Sequence, residues 1–265
     1  MIIIRFLGGL GNQLFIYAFG RTLELNYGID VQYDIYTGFK KDSFKRKFEL
    51  DNFYVKINKA TVLDSLYFPF RKRSELITKI FYPASFYIAE NQNFSVEKLI
   101  EIEKEHKKVF MQGYFQKSEY FESIREELKK EIVLTKPLSE KANGYLGKIK
   151  NSISVAVHIR LKERANLNQL SFYSESIAKL KKELVNPVFF VFSDDIKYCK
   201  GNIKFDSEVI FIENTNNQLE DFWLMKNCKH FIIYNSTFSW WASFLANKND
   251  KIIISPFDSY LNDIY

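Results

Sequence analysis

The chain opens with Ile2-Ile3-Ile4-Arg5-Phe6-Leu7-Gly8-Gly9-Leu10-Gly11-Asn12-Gln13-Leu14-Phe15, and a change of period inside it sets the fold. The apolar run 2–6 is too short for a helix and reads as a buried strand. Past the glycines the spacing becomes helical, with Leu14, Phe15, Ala18, Phe19, Leu23 and Leu25 on one side. Gly28 stands where a left-handed residue ends such a helix, and 29–33 reads as a second strand. Strand, glycine turn, helix and strand make a parallel β-α-β unit.

The same alternation fills the second half. Strands are expected at 153–159, 188–192, 209–212, 231–234 and 252–254, with helices at 172–184, 219–228 and 236–246. Between the halves, 108–111 reads as a strand and 118–131 as an amphipathic helix, whereas 37–105 reads as loops and short helices. Leu134 to Pro137 and the polar stretch after them mark a boundary, giving domains 1–137 and 138–265. The expected class is α/β, with two regions of parallel units and helices on both sheet faces. No internal sequence repeat is visible.

Composition narrows the class without choosing a function. The 265 residues carry 38 Lys+Arg against 32 Asp+Glu, a net charge of +6. With 10 Gly and 5 Pro, collagen-like and linker-like readings fail. Cys199 and Cys228 form no CxxC pair, and His106, His158 and His230 are scattered, so neither a disulfide scaffold nor a His/Cys metal site is expected. Arg5 interrupts the N-terminal apolar run, and no stretch reaches ~18–20 apolar residues. A cytoplasmic location is therefore expected. The basic run Lys40, Lys41, Lys45, Arg46, Lys47 lacks interleaved recognition aromatics. It reads first as a solvated face, and second as peripheral contact with an anionic membrane surface; nucleic acid is not an expected partner.

In open α/β sheets ligands bind beyond the carboxyl ends of the strands, which selects four polar clusters. The first is the glycine turn 8–13, which aims backbone N–H groups and a helix N-terminus at an anion. Leu14 stands where a dinucleotide fingerprint needs glycine, and Asn12-Gln13 where a Walker loop needs Lys-Ser/Thr. The glycines equally well serve only to turn the strand tightly. The second cluster is His158 and Arg160, on one face by strand alternation. Arg160 offers a planar fork suited to a diphosphate, or else a structural ion pair. Third is Ser193-Asp194-Asp195, where no second acidic cluster completes an oxygen cage. One carboxylate is expected to meet a base or ribose, the other to cap the following helix. Fourth is Asn235-Ser236-Thr237-Phe238-Ser239, with Asn235 as the expected N-cap and three hydroxyls in the first helical turn forming a phosphate cradle.

Taken together these clusters resemble a known family. Gly8-Gly9-Leu10-Gly11-Asn12-Gln13-Leu14-Phe15 with Tyr17-Ala18-Phe19-Gly20-Arg21 is similar to the opening of bacterial α-1,2-fucosyltransferases, glycosyltransferase family 11. Gln112-Gly113-Tyr114-Phe115-Gln116 with Tyr120-Phe121 resembles the mid-chain signature, and Val191–Asp195 and Asn235–Trp241 the two C-terminal blocks. The family pattern His-x-Arg-Arg-x-Asp stands here as His158-Ile159-Arg160-Leu161-Lys162-Glu163. The first Arg is kept, and protein O-fucosyltransferases also manage with His-x-Arg alone. The departures at 161 and 163 bear on the donor sugar and the acceptor.

The resemblance implies a GT-B architecture, two Rossmann-like domains facing across a cleft, acting without metal or cofactor on GDP-fucose and a glycan acceptor. Residues 1–137 would be the acceptor side and 138–265 the nucleotide-sugar side. Arg160 would contact the diphosphate together with the turn Asn235, Ser236, Thr237 and Ser239. Ser193 and Asp194 would hold the guanine or ribose, and His158 and Gly11 would line the donor. Asn12 would close over the sugar. For the acceptor's base, Glu163 is the first candidate and Asp194 the second. The expected product lies in surface polysaccharide or lipopolysaccharide synthesis. Two alternatives are a transferase for another nucleotide sugar and, from another class, a non-catalytic glycan- or RNA-binding module.

Overall fold

A computed structural model describes residues 1–91, 93–161, 167–247 and 250–256. The chain divides into two compact units, Met1–Thr135 and Lys136–Tyr265. The first runs β1 (Ile2–Arg5), α1 (Leu10–Tyr27), β2 (Val31–Asp34), a 3-10 turn at Leu50–Asn52, α2 (Val62–Ser65), α3 (Tyr67–Arg73), α4 (Glu75–Phe81), β3 (Ser85–Ala89), α5 (Val96–Glu105), β4 (Lys108–Gln112), two 3-10 turns and α6 (Arg125–Glu131). The second runs α7 (Glu140–Lys150), β5 (Ile153–Ile159), α8 (Leu167–Glu183), β6 (Pro187–Ser193), α9 (Ile196–Asn202), β7 (Val209–Phe211), α10 (Gln218–Lys226), β8 (His230–Ile233), α11 (Thr237–Leu245) and β9 (Ile253–Ile254). Each unit holds one wholly parallel sheet, in the orders β2-β1-β4-β3 and β7-β6-β5-β8-β9.

Burial on both faces explains why the central strands are apolar throughout rather than alternating. In the second unit Val155, Val157, Ile159, Phe189, Val191 and Ile232 pack beneath Tyr173, Ile177 and Leu180 of α8. In the first, Tyr67 of α3 stacks on Phe110 of β4 at 3.7 Å. Helix α1 is buried almost all round from Gln13 to Leu23, as a helix clasped by sheet and neighbours must be. Gly20 makes its approach to β2 possible, because a Cβ there would lie 2.2 Å from the Tyr33 hydroxyl. Gly28 ends α1 in the left-handed conformation (φ 66°), its N–H donating to the Glu24 and Leu23 carbonyls.

Two expectations are corrected. The continuous helix over 118–131 is instead two 3-10 turns, Ser118–Tyr120 and Glu122–Ile124, followed by α6. Phe121 leaves helical backbone (φ −142°) to bury its ring against Phe15. The stretch 37–105 contains a strand, β3, which among the described residues pairs only with β4 and is half exposed. As an edge strand it lacks the clean alternation that a sequence reading detects. The polar stretch after Pro137 forms α7, whose N-cap Ser139 accepts from the Ala142 N–H and is held by the Glu220 carboxylate.

Candidate functional site

In the second unit the chain winds from β5 through β6 to β7, then crosses back to β8 and β9 on the other side. The switch point lies between β5 and β8, where such a sheet opens a crevice at its carboxyl edge. Three of the four clusters end there. The register pairs His158 with Ile233 on β8 and Ile159 with Ser193 on β6. Past these last pairs, Arg160 directly follows β5, Asp194 directly follows β6, and Asn235 stands two residues beyond β8. A hydrogen bond from the Leu161 N–H to Asp194 Oδ1, 2.9 Å, fixes that edge.

His158 is half-buried. Its Nδ1 is inaccessible and has no hydrogen-bond partner among the described residues; its ring lies 5.8 Å from that of Phe238. Burial first, then the positive charge of Arg160, push its pKa down to about 4, against an opposing pull from Asp194. The ring is neutral at neutral pH. The Tyr173 hydroxyl donates to the His158 carbonyl at 2.7 Å and anchors the strand end to α8.

The turn after β8 departs from its expected capping. Ser236, not Asn235, is the N-cap of α11, and no side chain caps it. The Trp240 N–H donates to the Ser236 carbonyl, so the N–H groups of Thr237, Phe238 and Ser239 have no acceptor within the helix and leave its positive end for an anion. Ser239 is fully buried and its hydroxyl donates to the Ser236 carbonyl at 3.2 Å, which removes it from the expected cradle. Thr237 and Asn235 keep partial exposure. Trp240 and Trp241 are buried, stacked or edge-on with Phe244, so these aromatics are core. On β6, the Asp195 N–H donates to the Ser193 hydroxyl, and the Asp195 carboxylate caps α9 by accepting from the Tyr198 N–H. Asp194 is left exposed toward the crevice edge. Glu163 lies outside the described residues.

The first unit has its own switch point, between β1 and β4, and the glycine turn and mid-chain signature meet at it. Gly8 is left-handed (φ 79°), and a Cβ there would lie 2.7 Å from Asn12 Nδ2. Asn12 accepts at Oδ1 from Gln116 Nε2, 2.9 Å, while Gln116 Oε1 is buried without a partner among the described residues. Gly11 is the second residue of α1 and buried. Gln13 donates to the Gly8 and Lys47 carbonyls and accepts from the Glu49 N–H, tying the basic segment to the turn. Phe115, left-handed at φ 52°, stacks on Phe19 at 4.1 Å. The turn is held by Glu90, whose carboxylate accepts from the Tyr114 and Phe115 N–H groups, each at 2.8 Å.

Two signature residues serve packing in this unit. Tyr17 donates to Glu131, Arg21 grips the same carboxylate through Nε and Nη2, and the Lys56 N–H donates to the Tyr17 hydroxyl. Burial and the hydrogen bond to Glu131 raise the Tyr17 pKa, so it stays a donor. Glu90, Glu131 and Tyr173 escape a reading of the sequence because each acts from an element remote in the chain. Among the described residues no three His, Cys, Asp or Glu gather as a metal site, and no helix is long and apolar enough to cross a membrane.

The model of Glycosyl transferase family 11 matches residues 1–263. An alpha-1,2-colitosyltransferase of Escherichia coli is 33% identical over 97% of this chain and 91% of its own length. Among solved structures, Arabidopsis thaliana FUT1 (mutant R284K, in complex with GDP) superposes with a TM-score of 0.60 at 11% identity, over 97% of this chain and 71% of that one. The fucosyltransferase NodZ from Bradyrhizobium gives 0.53 at 15%, over 94% and 96%. These likenesses show the fold: α/β of the GT-B class, with one Rossmann-like unit in each half.

Proposed function

The chain belongs to glycosyltransferase family 11, and from that membership we propose that it moves fucose from GDP-fucose to a hydroxyl of a glycan acceptor. Transfer proceeds with inversion at the anomeric carbon and without a metal ion, in surface polysaccharide or lipopolysaccharide synthesis within the cytoplasm. The observation that supports this most is that Asp194, Arg160 and Asn235 each stand just past the carboxyl end of one of three adjacent strands, β6, β5 and β8, at the switch point and shortly before α11.

As the sugar–oxygen bond breaks, negative charge grows on the departing diphosphate. Arg160 and the first-turn N–H groups of α11 would donate to that oxygen as charge develops, which is where preorganised donors lower a barrier. A hydrogen bond to a charged group is worth about 1.5–3 kcal/mol, so Arg160 supplies about ten- to a hundredfold in rate. Neutral His158 adds no second positive charge, and at a pKa of about 4 it is a poor base for the acceptor hydroxyl. Asp194 is already engaged by the Leu161 N–H, which leaves Glu163 first for that role. Calorimetric titration with GDP tests the reading, since absence of binding refutes the donor class. Turnover of GDP-fucose that survives excess chelator is expected, and its loss refutes metal independence.

One observation favours a second donor. The colitosyltransferase relative spans nearly the whole chain, and Leu161 here replaces an arginine of the family pattern, removing hydrogen-bond donors that a deoxygenated sugar does not need. Hydrolysis of GDP-fucose against GDP-colitose at equal concentration separates the two readings.

A further inference from the structure

Helix α4 is amphipathic in the wrong sense for a helix that faces only water. Its buried side is marked by Thr78, whose hydroxyl donates to the Ser74 carbonyl. Its outer side shows Leu76 and Ile80, one turn apart and 70% and 66% exposed, with Phe81 at 67%. Phe81 lies 6.1 Å from Phe70 of α3. The Tyr82 hydroxyl donates to the Leu63 carbonyl, which draws the start of α2 against the end of α4. Val62 and Leu63, 66% and 73% exposed, thereby extend the same apolar surface. A contiguous patch of large aliphatic and aromatic side chains on a water-facing surface marks an interaction site.

The charge around the patch says with what. Residues 66–83 contain Arg71, Lys72, Arg73 and Lys79 but a single carboxylate, Glu75. Glu75 lies 3.6 Å from Lys79, and nearby Asp64 is taken by Lys108. Arg71 stacks over Tyr87 at 4.0 Å, whereas Lys72 and Arg73 are exposed. Apolar side chains rimmed by cations match an acyl boundary beneath anionic headgroups. We propose that α2, α3 and α4 form a docking surface for an anionic lipid bilayer, with Leu63, Leu76, Ile80 and Phe81 entering the interface and Lys72 and Arg73 meeting the headgroups. The surface is independent of the transferase reading, and its test needs no sugar donor.

The whole chain is floated with vesicles of phosphatidylcholine, with and without phosphatidylglycerol, at low and high salt. Binding is expected with phosphatidylglycerol at low salt, at least about tenfold weaker without it or at high salt. The triple variant Leu76→Ser/Ile80→Ser/Phe81→Ser is expected to lose at least about tenfold in binding with its circular dichroism unchanged. Should that variant fail to fold, Lys72→Gln/Arg73→Gln provides the same comparison. The fluorescence that Phe81→Trp introduces is expected to shift to the blue on vesicles and to be quenched by brominated acyl chains. The fluorescence that Val185→Trp introduces, at a site 75% exposed in the other unit, is expected to do neither. No phosphatidylglycerol-dependent binding, or a Phe81→Trp signal no different from that of Val185→Trp, overturns the proposal. Self-association abolished by the triple variant, with no vesicle binding, assigns the face to a second copy of the chain and overturns it equally.

Discussion

Glu131→Ala removes the one acceptor shared by Tyr17 and Arg21, two residues that a motif search would count as functional. The Glu131 side chain is 7% exposed and that of Arg21 11%. Breaking a buried pair from one side costs about 3–5 kcal/mol, because the surviving charge stays buried. Arg21 keeps Glu24 at 3.1 Å, which puts the expected loss near the lower end, about 3 kcal/mol. Tyr17→Phe removes one bond to a carboxylate and the acceptor of the Lys56 N–H, for about 1.5–3 kcal/mol. The double variant is expected to cost less than the sum, since Tyr17 has already lost its carboxylate in Glu131→Ala. Trp223, Trp240 and Trp241 all lie in the second unit, so intrinsic fluorescence reports the wrong half. Hydrogen exchange on peptides from α1 and α6 reads the first unit directly. Donor hydrolysis, measured cold on the folded fraction, is expected to stay within about threefold of wild type, well under the tenfold that 1.36 kcal/mol of barrier represents. Unchanged exchange in α1 and α6 with a large fall in turnover would refute a packing role and move this network into the chemistry.

Arg160→Ala is expected to lower kcat with donor by about ten- to a hundredfold while melting is unchanged; wild-type turnover sinks the assignment. His158 has a folded pKa of about 4, below the ordinary ~6.5, so the unfolded chain takes up its proton first and stability present above pH 6.5 is lost as pH falls toward 4. Between pH 7.5 and 4.5 wild type is expected to lose about 2–3 kcal/mol more than His158→Gln in urea titrations, and parallel losses would count against the burial of that ring. Gly38→Ala sets a Cβ 1.8 Å from the Phe6 carbonyl oxygen; a backbone atom cannot swing aside, and a loss of about 3 kcal/mol or more is expected in thermal unfolding. A near-neutral result there would show that the turn after β1 relaxes.

The strands of both sheets that are buried on two faces are legible in the sequence, because a short uninterrupted apolar run bounded by polar turns fits little besides a buried strand. Asp195 is legible as a cap too, since its position ahead of α9 fits only that role once Asp194 faces the other way. The edge strand β3 is not: its exposed Phe86 and its inward Tyr87 are both aromatic, so no polar–apolar alternation announces it, and its existence depends on pairing with β4. Asn235 and Ser239 depart from expectation for a related reason. Both are good residues for a helix start, but which residue becomes the cap is fixed by where β8 releases the chain. Glu90 and Glu131 bind amides and side chains more than twenty residues away, and no local spacing announces such a bond.

The β5/β8 edge also behaves as a ruler. Neighbouring strands lie about 4.8 Å apart, so stations carried by β6, β5 and β8 at one level are spaced evenly, with about 10 Å from first to last. The last rung that the three strands share, Phe192, His158 and Ile233, is spaced by backbone hydrogen bonds and cannot be tuned by small steps, whereas the side chains at 194, 160 and 235 just past it can be exchanged; slipping a strand by one residue would turn each station of the rung to the opposite face. On the proposed function, a donor has to fit that gauge. Divergence at such an edge therefore alters the side chains past the rung while the strand spacing beneath them is inherited unchanged.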